Sequence, residues 1–171
     1  MYAHKLSLTA LSLGAALAFG SPAKSADVPK EGTFNGMYTG AATMKLFPVG
    51  KERSLATWED NSVTVGKGFL DHLTWHCLGT TSILAGMGHF NGYCVVTDPE
   101  GDQIVADIAS DGTYSADAKV IPAKGTFTSG TGKYAGISGS LTNMLHDPEF
   151  RTATEGTLVN YGEFQASYKL P

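Results

Sequence analysis

From residue 27 onward the chain consists of short runs in which apolar and polar residues alternate. The runs are rich in Thr, Val, Ile, Tyr and Phe and are broken by Gly, Asp, Asn and Pro, the mark of strands and turns. Helical periodicity is almost absent. Eight strands are predicted, over 33–46, 52–60, 71–84, 87–97, 102–109, 120–129, 137–146 and 157–169. Alternation is clearest in the last. There Leu158, Asn160, Phe164, Ala166 and Tyr168 share one face, and Glu163, Gln165, Ser167 and Lys169 the other. In the first run Phe34, Tyr38, Ala42 and Met44 lie together.

Two connections can be specified further. Asp98-Pro99-Glu100-Gly101 has the residues a type I turn wants at its first, second and fourth positions, and it joins 87–97 to 102–109. A two-residue turn at Ala85-Gly86 makes opposed residue numbers sum to 171, which sets Cys77 against Cys94. Meandering strands of this number close as an all-β, eight-stranded, antiparallel up-and-down barrel, with a β-sandwich as the alternative. Closure removes exposed edges and leaves an interior that side chains fill or that holds one small ligand.

Residues 1–26 read as a signal peptide. Lys5 precedes an apolar stretch from Leu6 to Phe19, and Lys24-Ser25-Ala26 gives a small-residue cleavage site, with Ala23 as the alternative. The stretch falls short of the roughly 20 residues that span a bilayer, which disfavours the alternative of an uncleaved anchor, and no later segment approaches that length. The expectation is an exported protein, periplasmic or secreted, with residues 27–171 forming a single barrel domain.

The whole chain carries a formal charge of −4, and Lys5 and Lys24 leave with the signal, so residues 27–171 hold ten Lys/Arg against sixteen Asp/Glu. An acidic chain without a basic run is a poor match for nucleic acid or an anionic membrane. The 21 glycines follow no collagen period and fit a fold with many turns.

In an exported chain, two opposed cysteines read as a structural Cys77–Cys94 disulfide, two buried thiols being the alternative. A thioredoxin-type CxxC is absent. No metal is expected. His72 and His76 are four residues apart on one predicted strand, about 13 Å, too far for one zinc. His89 and His146 fall elsewhere. Asp98, Glu100 and Asp102 resemble a fragment of a calcium loop but lack its length and terminal Glu, and the turn already accounts for them.

Gly130-Thr131-Gly132-Lys133-Tyr134-Ala135 matches GxGxxA literally, yet strand-like residues follow where a dinucleotide site needs a helix, and no cofactor is expected. Neither a P-loop nor a GxSxG elbow is present. Glu59, Asp60 and Glu163 are acids with no readable partner.

The segment Gly125–Gly139, with its strand, Gly-Thr-Gly turn, aromatic residue two positions on and Gly before the next strand, resembles the allene oxide cyclase and dirigent barrels. The resemblance implies an eight-stranded barrel with a largely apolar cavity, commonly assembled as a trimer. It carries no catalytic acid onto a numbered position here. Lipocalins and avidins are less similar, because Gly32–Tyr38 lacks the early tryptophan of their first strand.

The functional expectation is a barrel that binds a small apolar molecule, with isomerase or cyclase chemistry as an extension. The candidate cavity residues are Phe34, Tyr38, Trp75, Phe90, Phe164 and Tyr168. The rival is a non-catalytic envelope or interaction protein with a solid barrel, which an interior lacking a pocket of about 300 Å³ would favour. Leu73, Trp75 and Cys77 share a face opposite Phe90, Cys94 and Val96. Whether that face points inward or toward another subunit is open from sequence.

Overall fold

The computed structural model describes residues 28–66, 71–146 and 156–171. The expected leader therefore lies outside the described residues. Eight long strands run up and down: β1 (Glu31–Val49), β2 (Arg53–Gly66), β3 (Thr74–Leu84), β4 (Met87–Thr97), β5 (Gln103–Ser110), β7 (Val120–Gly130), β8 (Ser138–His146) and β9 (Gly156–Lys169). A two-residue strand, β6 (Tyr114–Ser115), pairs with the start of β4. Every long strand pairs antiparallel with its neighbours, and β1 closes the circle against β9. The fold is a closed antiparallel barrel.

Alternation decides which side chains fill it. On β9, Leu158, Asn160, Phe164, Ala166 and Tyr168 are buried, while Glu163, Gln165, Ser167 and Lys169 are exposed. The second predicted strand runs on to Gly66, and its last part inverts the usual polarity. Ser62 and Thr64 are buried, and Val63 and Val65 lie outside.

The first strand is longer than expected at both ends, Glu31–Val49 against 33–46, and the start of the third also differs. β3 begins at Thr74, because His72 sits in a turn with φ 57° and pairs with Asp71 at 2.9 Å. His72 and His76 therefore do not share a strand.

The β3–β4 hairpin has the expected register. Ala85 and Gly86 both take positive φ, 49° and 77°, as in the type I′ turns that match strand twist. Cys77 stands opposite Cys94 with Cα atoms 4.0 Å apart, and the two are joined by a disulfide. The Leu73–Trp75–Cys77 face points into the barrel.

Glycines serve two ends. Some make turns, as at Gly86 and Gly101. Others face inward within strands, where a large side chain from another strand occupies the space above them. Phe164 covers Gly36, Tyr38 covers Gly162, and Trp58 spans both Gly79 and Gly92.

At the end holding the start of β1 and the end of β9 the interior is solid. Leu73, Val96, Ile104, Phe127, Tyr168 and Leu170 belong to one buried cluster there. The glycine-rich connection after β7 makes a single 3₁₀ turn at Gly132–Tyr134 and leads into β8, so the GxGxxA match lacks its helix. It is anchored to the β4–β5 turn instead. Tyr134 OH donates to Asp98 Oδ2 at 2.9 Å, the Lys133 ammonium pairs with Asp98 and Glu100, and Lys133 N donates to Asp102 Oδ2 at 3.1 Å. Asp98 Oδ1 also accepts the backbone N–H groups of Glu100 and Asp102.

Candidate functional site

Above the solid end the barrel holds a cavity of about 110 Å³. Its aromatic wall consists of Tyr38, Trp58, Trp75, Phe90 and Phe164. Trp75 lies 6.2 Å from Phe164 between ring centroids, and Trp58 meets Phe90 edge-on at 6.0 Å. The Cys77–Cys94 bridge forms part of the wall. Of the six candidate residues, Tyr38, Trp75, Phe90 and Phe164 line this cavity. Phe34 and Tyr168 pack into the solid end, where Phe34 meets Phe164 edge-on at 5.3 Å and Tyr168 covers Gly32.

A polar group crosses the apolar wall. Asp60 on β2 and Asn160 on β9 are both buried, and Asn160 Nδ2 donates to Asp60 Oδ2. The two strands are separated by β1, which presents only Gly40 and Ala42 between them. Gly40 pairs with Ser62 and Asn160, and Ala42 with Asp60 and Leu158. These small residues let the acid and the amide reach over the intervening strand. Tyr38 does likewise in the other direction: its ring lies over Gly162, and its hydroxyl accepts from Asn143 Nδ2 on β8 at 3.0 Å.

Burial pushes the Asp60 carboxyl above the usual carboxylate range, against the opposing effect of hydrogen bonds from Asn160 and Ser62. Four buried atoms around the cavity find no hydrogen-bond partner among the described residues: Trp75 Nε1, Thr81 Oγ1, Asn143 Oδ1 and Asn160 Oδ1. Buried polar groups are nearly always paired, so four unpaired ones on a single cavity are an unusual feature of this wall.

Trp58, Asp60, Ser62, Thr81 and Asn143 were not anticipated as wall residues. The signal for Trp58 and Asp60 was present in the alternation Ala56, Trp58, Asp60, Ser62, Thr64, but polar residues on the inward side disguise it.

The histidines do not converge. His76 bonds Glu59 at 2.7 Å on the outer surface, His89 contacts Ser110 at 2.8 Å, and His146 stacks on Tyr161. Among the described residues no three His, Cys, Asp or Glu side chains are grouped to hold a metal.

No protein-family model matches the sequence, and no curated protein does. Among solved structures, the barrel is similar to the pterocarpan synthase dirigent protein GePTS1, with a TM-score of 0.51 and 12% identity over 84% of this chain and 88% of that one. The likeness is one of fold: the barrel resembles that of a dirigent protein. The allene oxide cyclase half of the resemblance rests on the glycine-rich segment alone.

Proposed function

We propose that this is an exported barrel that binds one small molecule in the cavity above its solid end. The observation carrying this reading is the set of four unpaired polar atoms on one mainly apolar wall. Mainly apolar pockets with a few convergent polar groups are the usual form of small-molecule sites. Size sets the scale. At about 110 Å³ the cavity is well below drug-sized pockets of about 300 Å³ and nearer the roughly 150 Å³ cavity that admits benzene. A single ring or a compact head group fits this scale, and a fatty acyl chain does not.

The small volume and the solid end also favour the rival of a non-catalytic envelope protein. Native mass spectrometry of protein purified from its source separates the two. A retained small-molecule mass supports binding. No retained mass, together with no change in Trp58 and Trp75 fluorescence across small aromatic, polar and charged guests, leaves the rival. Isomerase or cyclase chemistry would fall to Asp60, the one carboxyl on the wall among the described residues.

Export is supported by the Lys5 start, the Leu6–Phe19 run and a disulfide of the kind that persists in oxidising compartments. N-terminal sequencing should begin near Asp27, and a retained Met1 would overturn it. For assembly, the outer wall exposes Met37, Val63, Val65, Val159 and Tyr161 on the adjoining strands β2, β1 and β9. A homo-oligomer would cover them, and a trimer is the form the resembling families suggest. Light scattering that gave a monomer would refute assembly.

A further inference from the structure

We infer that the cavity takes a small organic cation, an alkylammonium carrying an oxygen, held by the rings of Tyr38, Trp58, Trp75, Phe90 and Phe164 with Asp60 as its counter-charge. This rests on the small-molecule reading above and names the ligand class.

The argument is electrostatic. Aromatic ring faces carry negative potential, and a cation enclosed by several of them is attracted to each, an effect that grows when both are out of water. Three polar groups on the wall act in the same sense. Asp60 is a carboxyl, and Asn143 Oδ1 and Asn160 Oδ1 are unpaired acceptors. Nothing positive balances them from within. On the inward-facing positions of the eight long strands there is no Lys, Arg or His among the described residues. Lys124 touches the cavity lining, but its side chain is exposed and its ammonium pairs with Asp111 at 2.9 Å.

Each class of guest meets this wall differently. A hydrocarbon would leave the two amide oxygens without partners, at the full cost of their desolvation. An anion would face a carboxyl and two carbonyl oxygens. An ammonium group offers those oxygens N–H or polarised C–H donors and lies against the rings. It also favours the ionised form of Asp60, which burial alone disfavours. Two groups can donate instead, Trp75 Nε1 and Thr81 Oγ1, and a hydroxyl or carbonyl oxygen on the same guest would accept from them. Together these describe a compact amino alcohol or its quaternary form.

Calorimetric titration of the full-length mature protein with choline, and with 3,3-dimethylbutan-1-ol as its neutral carbon isostere, tests the inference. Choline is expected to bind at least tenfold more tightly. Asp60→Asn should weaken choline at least tenfold and leave the isostere within twofold. Equal or tighter binding of the isostere to unmodified protein would overturn the cation assignment while sustaining a small-molecule site, and it does not depend on the variant folding. Choline affinity unchanged in a folded Asp60→Asn protein would overturn the role of Asp60. If neither of these guests, nor any neutral ring compound, bound at all, the small-molecule reading itself would fall.

Discussion

The indole of Trp58 occupies the place where Gly79 has no side chain: a Cβ built on that glycine would stand 2.1 Å from Trp58 Cζ2 and 2.3 Å from the carbonyl oxygen of Asn91. The tryptophan and the glycine are directly opposed on β2 and β3. Overpacking of this kind costs about 1–3 kcal/mol. The clash with backbone cannot be relieved by a rotamer change. Gly79→Ala is therefore expected to lower stability by at least that range in urea unfolding, and to shift Trp58 fluorescence. Gly50→Ala is the comparison, since nothing lies within 4 Å of it and only its φ of 73° is disfavoured. Equal losses for both variants would refute the packing account.

Asp98 ties the two connections at the solid end together, and its charge should be visible in acid. Burial alone would raise its pKa, but the bonds from Lys133 and Tyr134 hold it below the usual carboxylate value. A carboxyl depressed in the folded state stabilises above its unfolded pKa of about 3.9, and that contribution is lost as pH falls through the folded pKa. Asp98→Asn should cost on the order of 3 kcal/mol at pH 7, because Lys133 loses its buried partner. The deficit should shrink below pH 4. A deficit constant from pH 7 to pH 2 would contradict the assignment.

Asp60 is expected to behave in the opposite sense. Its folded pKa lies above the unfolded value, so its contribution favours folding below about pH 3.9 and is lost as pH rises through the folded pKa. Relative to the parent protein, Asp60→Asn should gain stability between pH 3 and pH 8, on the order of 1 kcal/mol. Chemical unfolding at the two pH values measures it. An equal loss at both would mean that the carboxyl is a structural hydrogen-bond acceptor and nothing more.

The disulfide closes a loop of 17 residues, a span worth about 3 kcal/mol in the chain-entropy account. Replacing Cys77 and Cys94 together with serine should lower the unfolding free energy by roughly that amount. Non-reducing peptide mapping of the parent protein should give one cross-linked fragment. Two alkylatable thiols in the oxidised native protein would refute the bridge.

Much of the architecture was legible because its periods are local. The alternation in 157–169 assigned both faces of β9, and Ala85-Gly86 set a register that carried unchanged to Cys77 and Cys94. The cavity wall was harder to read. Val63 and Val65 look like core and face outward, while Asp60, Ser62 and Thr64 look like surface and face inward. The alternation of β2 therefore misleads where the site lies. The Asp60–Asn160 pair joins residues 100 apart in sequence through the gap over Gly40, which no local pattern encodes. The inward glycines were read as turn formers because a glycine beneath an opposed aromatic side chain looks, in one dimension, like any other glycine. Phe34 and Tyr168 carried the right alternation and lie on the inside, but alternation does not say at which height along a barrel the packing gives way to space.

The seam between β1 and β9 has a kinetic meaning. It contains fourteen cross-strand pairs, as many as β1 makes with β2, yet its partners come from the first and last strands. Glu31 waits for Lys169 and Gly32 for Tyr168, so the barrel cannot shut until nearly the whole domain has emerged during synthesis. Until then both seam strands present open edges, the form in which strands pair with the wrong chain. Closing a loop of that length is slow compared with forming the β3–β4 hairpin, which needs only its own two strands. The same adjacency makes the domain a natural subject for circular permutation. A short linker joining Pro171 to Val28, with new ends opened at Ala85-Gly86, would convert the slowest pairing into a hairpin.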